Sequence, residues 1–307
     1  MALQLRGFVD LPPHARSAGG FDHAAVDEAT GRVYVAHTAS DAIDVFDPQA
    51  LKYAGSVGGL AAVAGALVAN GHVFTSNRGE NSVGILRLDE SSAAHTVGVG
   101  VKPNGLAFDP GRKRLLVAHV GDPALPGSCT VATVDVPARR LVAQVPVAGR
   151  TRWTVYDPAA DVFHVNIMDP PQIAVVAAGD PLAVLRVVSI PHAGPHGLDL
   201  DVARRRLYCA CDAGVLVEVG ADDGRIHAEA PIAGVPDVVF HNPALGRVYV
   251  AIGEPGVIEV FDTAPLRRRE TVATEAGAHT LSFDAARGIV CAFLPGSCRA
   301  AVYEDCA

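Results

Sequence analysis

Histidines and acids recur in this chain where strand-like runs begin or end. "FDHAAVD" sets Asp22 beside His23, "RVYVAH" closes on His37 and "RLLVAH" on His119, "PHGLDLD" carries His196, "PDVVFHN" carries Asp237 and "AHTLSFD" carries His279. Neutral imidazoles and carboxylates brought together from separate segments are ligands for a divalent metal ion, which polarises a carbonyl or activates water. "GRTRWTVYD" points to a different chemistry. It groups Arg150 and Arg152 with Trp153, the only tryptophan, and a guanidinium fork beside an indole suits a carboxylate or phosphate with a ring stacked next to it. Cys211 would act as a nucleophile only with a base beside it, and His196 is the one obvious candidate. The sequence contains no glycine-rich phosphate loop, serine nucleophile elbow or H-E-x-x-H helix, so no nucleotide cofactor is expected.

These residues need elements to position them, and the elements repeat. "FDHAAVD" (21–27), "VAGALVA" (63–69), "PNGLAFD" (103–109), "TRWTVYD" (151–157), "PHGLDLD" (195–201), "PDVVFHN" (236–242) and "AHTLSFD" (278–284) align, and their second residues lie 42, 40, 48, 44, 41 and 42 positions apart. Each is followed by a turn and a second phrase, as in "RVYVAH", "HVFTSN" and "RLYCAC", then by a third and a fourth strand-like run. Four short runs of β-branched and aliphatic residues, bounded by turn formers and written about seven times, are the signature of a β-propeller. No intervening segment carries a helical period long enough for a parallel crossover. The expected fold is all-β: one domain over residues 1–307, a seven-bladed propeller of four-stranded antiparallel blades. The last unit ends three strands in, at "AAVYEDCA", whereas the N-terminal "LQLRGFVDLPPHARSAGG" reads as a fourth strand and its exit loop. Residues 3–12 are therefore expected to form the outer strand of blade 7 and remove an open edge.

Composition supports a large core and narrows the partners. Half of the 307 residues are apolar and 19% are charged, and the net charge is −8 with dispersed basic residues, which argues against nucleic acid as a partner. No apolar run reaches 18 residues, so no membrane span is expected. The N-terminus lacks the continuous apolar segment of a secretory signal, which places the chain in the cytoplasm as an expectation. Six cysteines without a C-x-x-C pair read as small reduced core residues.

The phrases "VYVAH", "VFTSN" and "VYVAI", with their "D-x-x-x-x-R-V-Y-V" approach, resemble the YVTN (YncE-like) family of seven-bladed propellers, over nearly the whole chain. The resemblance implies the architecture and no single activity, since such repeats occur in proteins of very different roles.

In a propeller the inner strands start at one face, and the loops from second to third strand return to it. Two rings are thus expected around one channel mouth. The first is Asp22, Ala64, Asn104, Arg152, His196, Asp237 and His279; the second is His37, Asn77, His119, Asn166, Cys211, Ile252 and Phe293. Histidines 14, 23, 37, 119, 192, 196 and 279 map to this face, whereas His72 and His241 map to the other. Blades 7 and 1 adjoin, so Asp22, His23, His37 and His279 form the expected metal cluster. Asn77, Asn104, His119, Arg152, Trp153, Asn166, His196, Cys211 and Asp237 are the expected contacts of a small-molecule or anionic ligand. The function expected is ligand or metal binding at this mouth, with a metal-dependent hydrolase or lyase of the lactonase-like kind as the alternative. A plainer reading stands beside both: His196 caps a strand whose face it shares with Leu198 and Leu200, His279 does the same with Leu281 and Phe283, and Trp153 plugs the channel while Arg152 pairs with an acid. Asp27, Asp109, Asp157, Asp201 and Asp284 are expected to hold turns by accepting backbone N–H bonds.

Overall fold

Within each repeat the strands differ in how apolar they are, and that difference sets their place. Second and third strands are near-continuous apolar runs: Arg247–Ile252 is buried at every position and Val257–Thr263 at all but one. Fourth strands alternate, as in Lys52–Gly58, where exposed and half-buried residues take turns. A strand buried on both faces must lie between two layers, whereas an alternating one faces solvent on one side. In the computed structural model, which describes residues 2–88 and 94–306, seven four-stranded antiparallel sheets follow this rule. Each blade runs from an inner strand at the channel, such as Thr151–Asp157 or Pro195–Asp201, to an outer strand at the rim.

The core lies between blades. Leu116, Ala118 and Val131 of blade 3 pack on Phe163, Val165 and Ile167 of blade 4, and Val239 and Val250 of blade 6 pack on Tyr208 and Leu216 of blade 5. The N-terminal segment joins the seventh sheet as expected. Leu3–Asp10 pairs antiparallel with Arg299–Asp305, from Leu3 opposite Asp305 to Asp10 opposite Arg299. Leu3 and Val9 are buried along it, and Leu11 just beyond. The backbone N–H groups of Ala2 and Leu3 donate to Glu270 of blade 6 at 2.5 and 3.1 Å.

The face opposite the mouth is held by the turn aspartates, as the repeats indicated. Asp109 Oδ1 accepts from the Gly111 N–H at 2.9 Å, and Asp157, Asp201 and Asp284 make similar turn bonds. Three of them also reach arginines across a blade boundary or within the turn: Arg205 of blade 5 forks onto both oxygens of Asp157 in blade 4 at 2.8 and 2.6 Å, Arg112 pairs with Asp109 at 2.9 Å, and Arg287 pairs with Asp284 at 2.9 Å. Burial pushes the Asp157 carboxyl up, but hydrogen bonds from His164 and Arg205 more than offset it and hold it well below the usual carboxylate range. All six cysteines are free thiols, and Cys209, Cys211 and Cys291 are buried. Among the described residues no helix is long and apolar enough to cross a membrane.

Candidate functional site

The inner strands bring most of the first ring together. His196, on the inner strand of blade 5, lies between two carboxylates: Nδ1 is 2.7 Å from Asp212 and Nε2 is 2.9 Å from Asp237 of blade 6. His279 of blade 7 approaches the other oxygen of Asp237 at 3.6 Å. Arg152 of blade 4 stands 3.6 Å from Asp212. Across the mouth, Arg78 reaches Asp22 at 3.3 Å and donates to the side-chain oxygen of Asn104. Blades 4 to 7 are thus linked at the mouth through Arg152, Asp212, His196, Asp237 and His279, and blades 1 to 3 through Asp22, Arg78 and Asn104. Burial disfavours charge on His196, but the Asp237 charge and the bonds to Asp212 and Asp237 more than compensate and raise its imidazole to about 9. Asp237 is correspondingly held below the usual carboxylate range: burial works against this, and His196 outweighs it.

Below this polar ring the channel is closed by an indole. Trp153 extends from blade 4 to meet His23 of blade 1 at 4.2 Å between ring centroids and Phe240 of blade 6 edge-on at 6.2 Å. The plug reading of Trp153 therefore describes the structure, and Arg152 does pair with an acid, Asp212. Burial lowers the His23 imidazole, with Asp22 and Asp237 opposing.

The second ring is placed differently from the expectation. His37, Asn77, His119, Asn166, Cys211 and Ile252 are fully buried and Phe293 nearly so, because the last residue of each second strand packs between blades. His37 hydrogen-bonds with Asp44 at 2.7 Å and His14 at 2.7 Å, and His14 also reaches the Pro295 carbonyl of blade 7 at 2.8 Å. His119 engages Thr130 Oγ1 at 2.8 Å and accepts from the Gly100 N–H at 3.0 Å. Asn77 donates to Ser82 at 3.0 Å, and Asn166 donates to the His196 and Gly197 carbonyls at 3.0 and 3.1 Å. Cys211 contacts Cys209, with 4.0 Å between sulfurs, and His196, its proposed base, is already committed to two acids. His192, another of the histidines mapped to this face, pairs with Glu229 at 3.1 Å.

The metal set is consequently not assembled. Asp22 and His23 are neighbours, but His37 is committed to Asp44 and His14, and His279 to Asp237. Among the described residues no group of three or more His, Cys, Asp or Glu side chains is arranged to hold a metal ion, so the donor set does not fit one.

The residues that reach the mouth, and that the repeats did not single out, are Arg78 and Asp212. Each stands one position after its ring-two residue, in the hairpin turn itself. The capping role expected for His196 also needs correction. The pairing shifts between Pro195 and Gly197, which turns His196 off the face that buries Leu198 and Leu200 and toward the channel. Next to Arg78, the loops of blades 2, 3 and 4 enclose a recess of about 530 Å³ whose walls include Lys102, Cys129, Arg150, Asp122 and Asp169. Lys102 pairs with Asp122 at 2.9 Å, whereas Arg150 is exposed.

No protein-family model matches the chain, and no curated protein matches it in sequence. Among solved structures it is similar to a chain of Kuenenia stuttgartiensis hydrazine synthase, with a TM-score of 0.81, 12% identity and coverage of 94% of this chain and 97% of that one. At that identity the likeness concerns the fold alone.

Proposed function

We propose that this chain is a YVTN-type propeller that binds a small anionic ligand, a carboxylate or phosphate, at the channel mouth. The observation that carries the reading is the recess over blades 2 to 4, where Arg78, Lys102 and Arg150 converge on one cavity and Arg150 forms no ion pair among the described residues. A cation held at a cavity wall with its charge unspent is a ready donor for an oxyanion, and a guanidinium offers it a planar fork. Arg78 is already fixed in direction by Asp22 and Asn104, which lowers the ordering cost of recruiting it. The metal-dependent hydrolase reading gains no support, because its ligands face different partners.

Calorimetric titration with inorganic phosphate and with citrate tests this directly. Binding is expected for at least one of the two, weakening as salt rises, and Arg150→Ala is expected to reduce the affinity about tenfold, the scale of one charge-assisted hydrogen bond. Absence of heat from both anions, or an affinity that neither Arg150→Ala nor Arg78→Ala alters, would overturn it.

A further inference from the structure

The channel on the other side of Trp153 is a separate chamber. It measures about 710 Å³ and is walled by inner strands of blades 1 to 7, from His23 and Trp153 at the closed end to Glu28, Asn70, Pro110 and Pro158 at the opposite face. Its wall is largely apolar, and Phe240, Phe283, Tyr156 and Trp153 remain only half-buried although their own blades surround them. Large aromatic groups left facing an internal space are what a ligand pocket presents. One carboxylate stands among them. Asp199, on the inner strand of blade 5, lines the same chamber; its oxygens accept the backbone N–H groups of Leu200 at 2.8 Å and His241 at 2.7 Å. Those bonds fix the carboxylate in place and leave it without a cation.

We propose that this chamber binds a small organic ammonium ion, its charge against Asp199 and its apolar body against Trp153, Phe240 and Phe283. Charge complementarity selects that class. The lining holds two acids, Asp199 and Glu28, and no lysine or arginine, and the negative face of each aromatic ring adds attraction for a cation. The chamber size suits a ligand of one ring and a short chain. This inference is independent of the anion reading, because it uses the opposite face and none of its residues.

The groups that face Asp199 are Asp201 on its own strand, the His241 backbone on blade 6, Glu28 at the rim and His23 at the closed end. Burial, despite the two backbone bonds, raises the Asp199 carboxyl to about 6. Below that pH the site loses its charge, and ammonium binding should weaken.

The experiment compares phenethylammonium with phenethyl alcohol and phenylacetate, read by calorimetry and by Trp153 fluorescence in amine-free buffer. Phenethylammonium is expected to bind at least tenfold more tightly than the alcohol at pH 7.5, to lose that margin near pH 5, and phenylacetate is expected to be rejected. Asp199→Asn should remove the margin between ammonium and alcohol, and Phe240→Leu should weaken the ammonium more than the alcohol. Equal affinity for ammonium and alcohol, tighter binding of phenylacetate, an unchanged margin in Asp199→Asn, or no binding by the folded wild type would each overturn the proposal.

Discussion

His196 shows what the mouth does to a single side chain. An imidazole between two fixed carboxylates keeps its proton where a free one would release it. With the folded value raised to about 9 against an ordinary 6.5, its contribution to stability is fully present below pH 6.5 and is lost as pH rises through 9. Proton-detected titration of the histidine rings should therefore find His196 still charged at pH 7.5, and Asp212→Asn should move its midpoint down by a unit or more. A His196 ring that titrates near 6.5 would contradict the double carboxylate clamp. The sequence made His196, Asp237 and His279 recognisable as neighbours, because aligned repeats assign equal positions to equal places. Asp212 and Arg78 were not recognisable in this way. A hairpin turn re-aims its residues individually, and a one-residue step decides between the blade interior and the mouth.

At the scale of the strand, the ends of the second strands act as fasteners. His119 makes the point most clearly, since its Nε2 accepts the Gly100 N–H and must remain unprotonated, which leaves Nδ1–H to donate to Thr130. Burial lowers this imidazole to about 4, with the Thr130 bond opposing. A depressed histidine contributes stability that is present above its unfolded value near 6.5 and is lost as pH falls toward 4, on the order of 3 kcal/mol at most. Denaturant unfolding between pH 7 and pH 4 should show that loss, and the His119→Gln profile should be flatter by the same amount. Parallel profiles would rule the fastener out. Histidine and asparagine at strand ends suit a ligand's role and a fastener's equally, because their chemistry is the same in either. Burial, which decides between the roles, depends on how neighbouring blades sit and has no local sequence signal.

At the scale of the ring, closure carries the fold. The seventh sheet takes its outer strand from the opposite end of the chain, burying Leu3, Val9 and Leu11; full burial of such side chains is worth about 1.5–3 kcal/mol each. Deleting residues 2–12 should cost on the order of 5 kcal/mol and expose the edge of Arg299–Asp305. Thermal unfolding and size-exclusion chromatography would reveal this as a lower Tm with association, and an unchanged Tm would show that the ring closes without the strap. This architecture was readable almost in full from the seven repeats and the missing fourth strand. The chamber was not, because its Asp199 and Phe240 look like ordinary strand residues until seven inner strands are placed around one axis.

That axis has a further consequence for anything that enters it. A wall of seven like blades presents a guest with seven near-equivalent bearings, and a guest free to choose among them has no fixed pose. The indole of blade 4 occurs once around the circle, and Asp199 of blade 5 is the one carboxylate of the lining that stands away from the rim. Together they break the pseudosymmetry as a single keyway does on a shaft, so that whatever lies in the chamber has one heading.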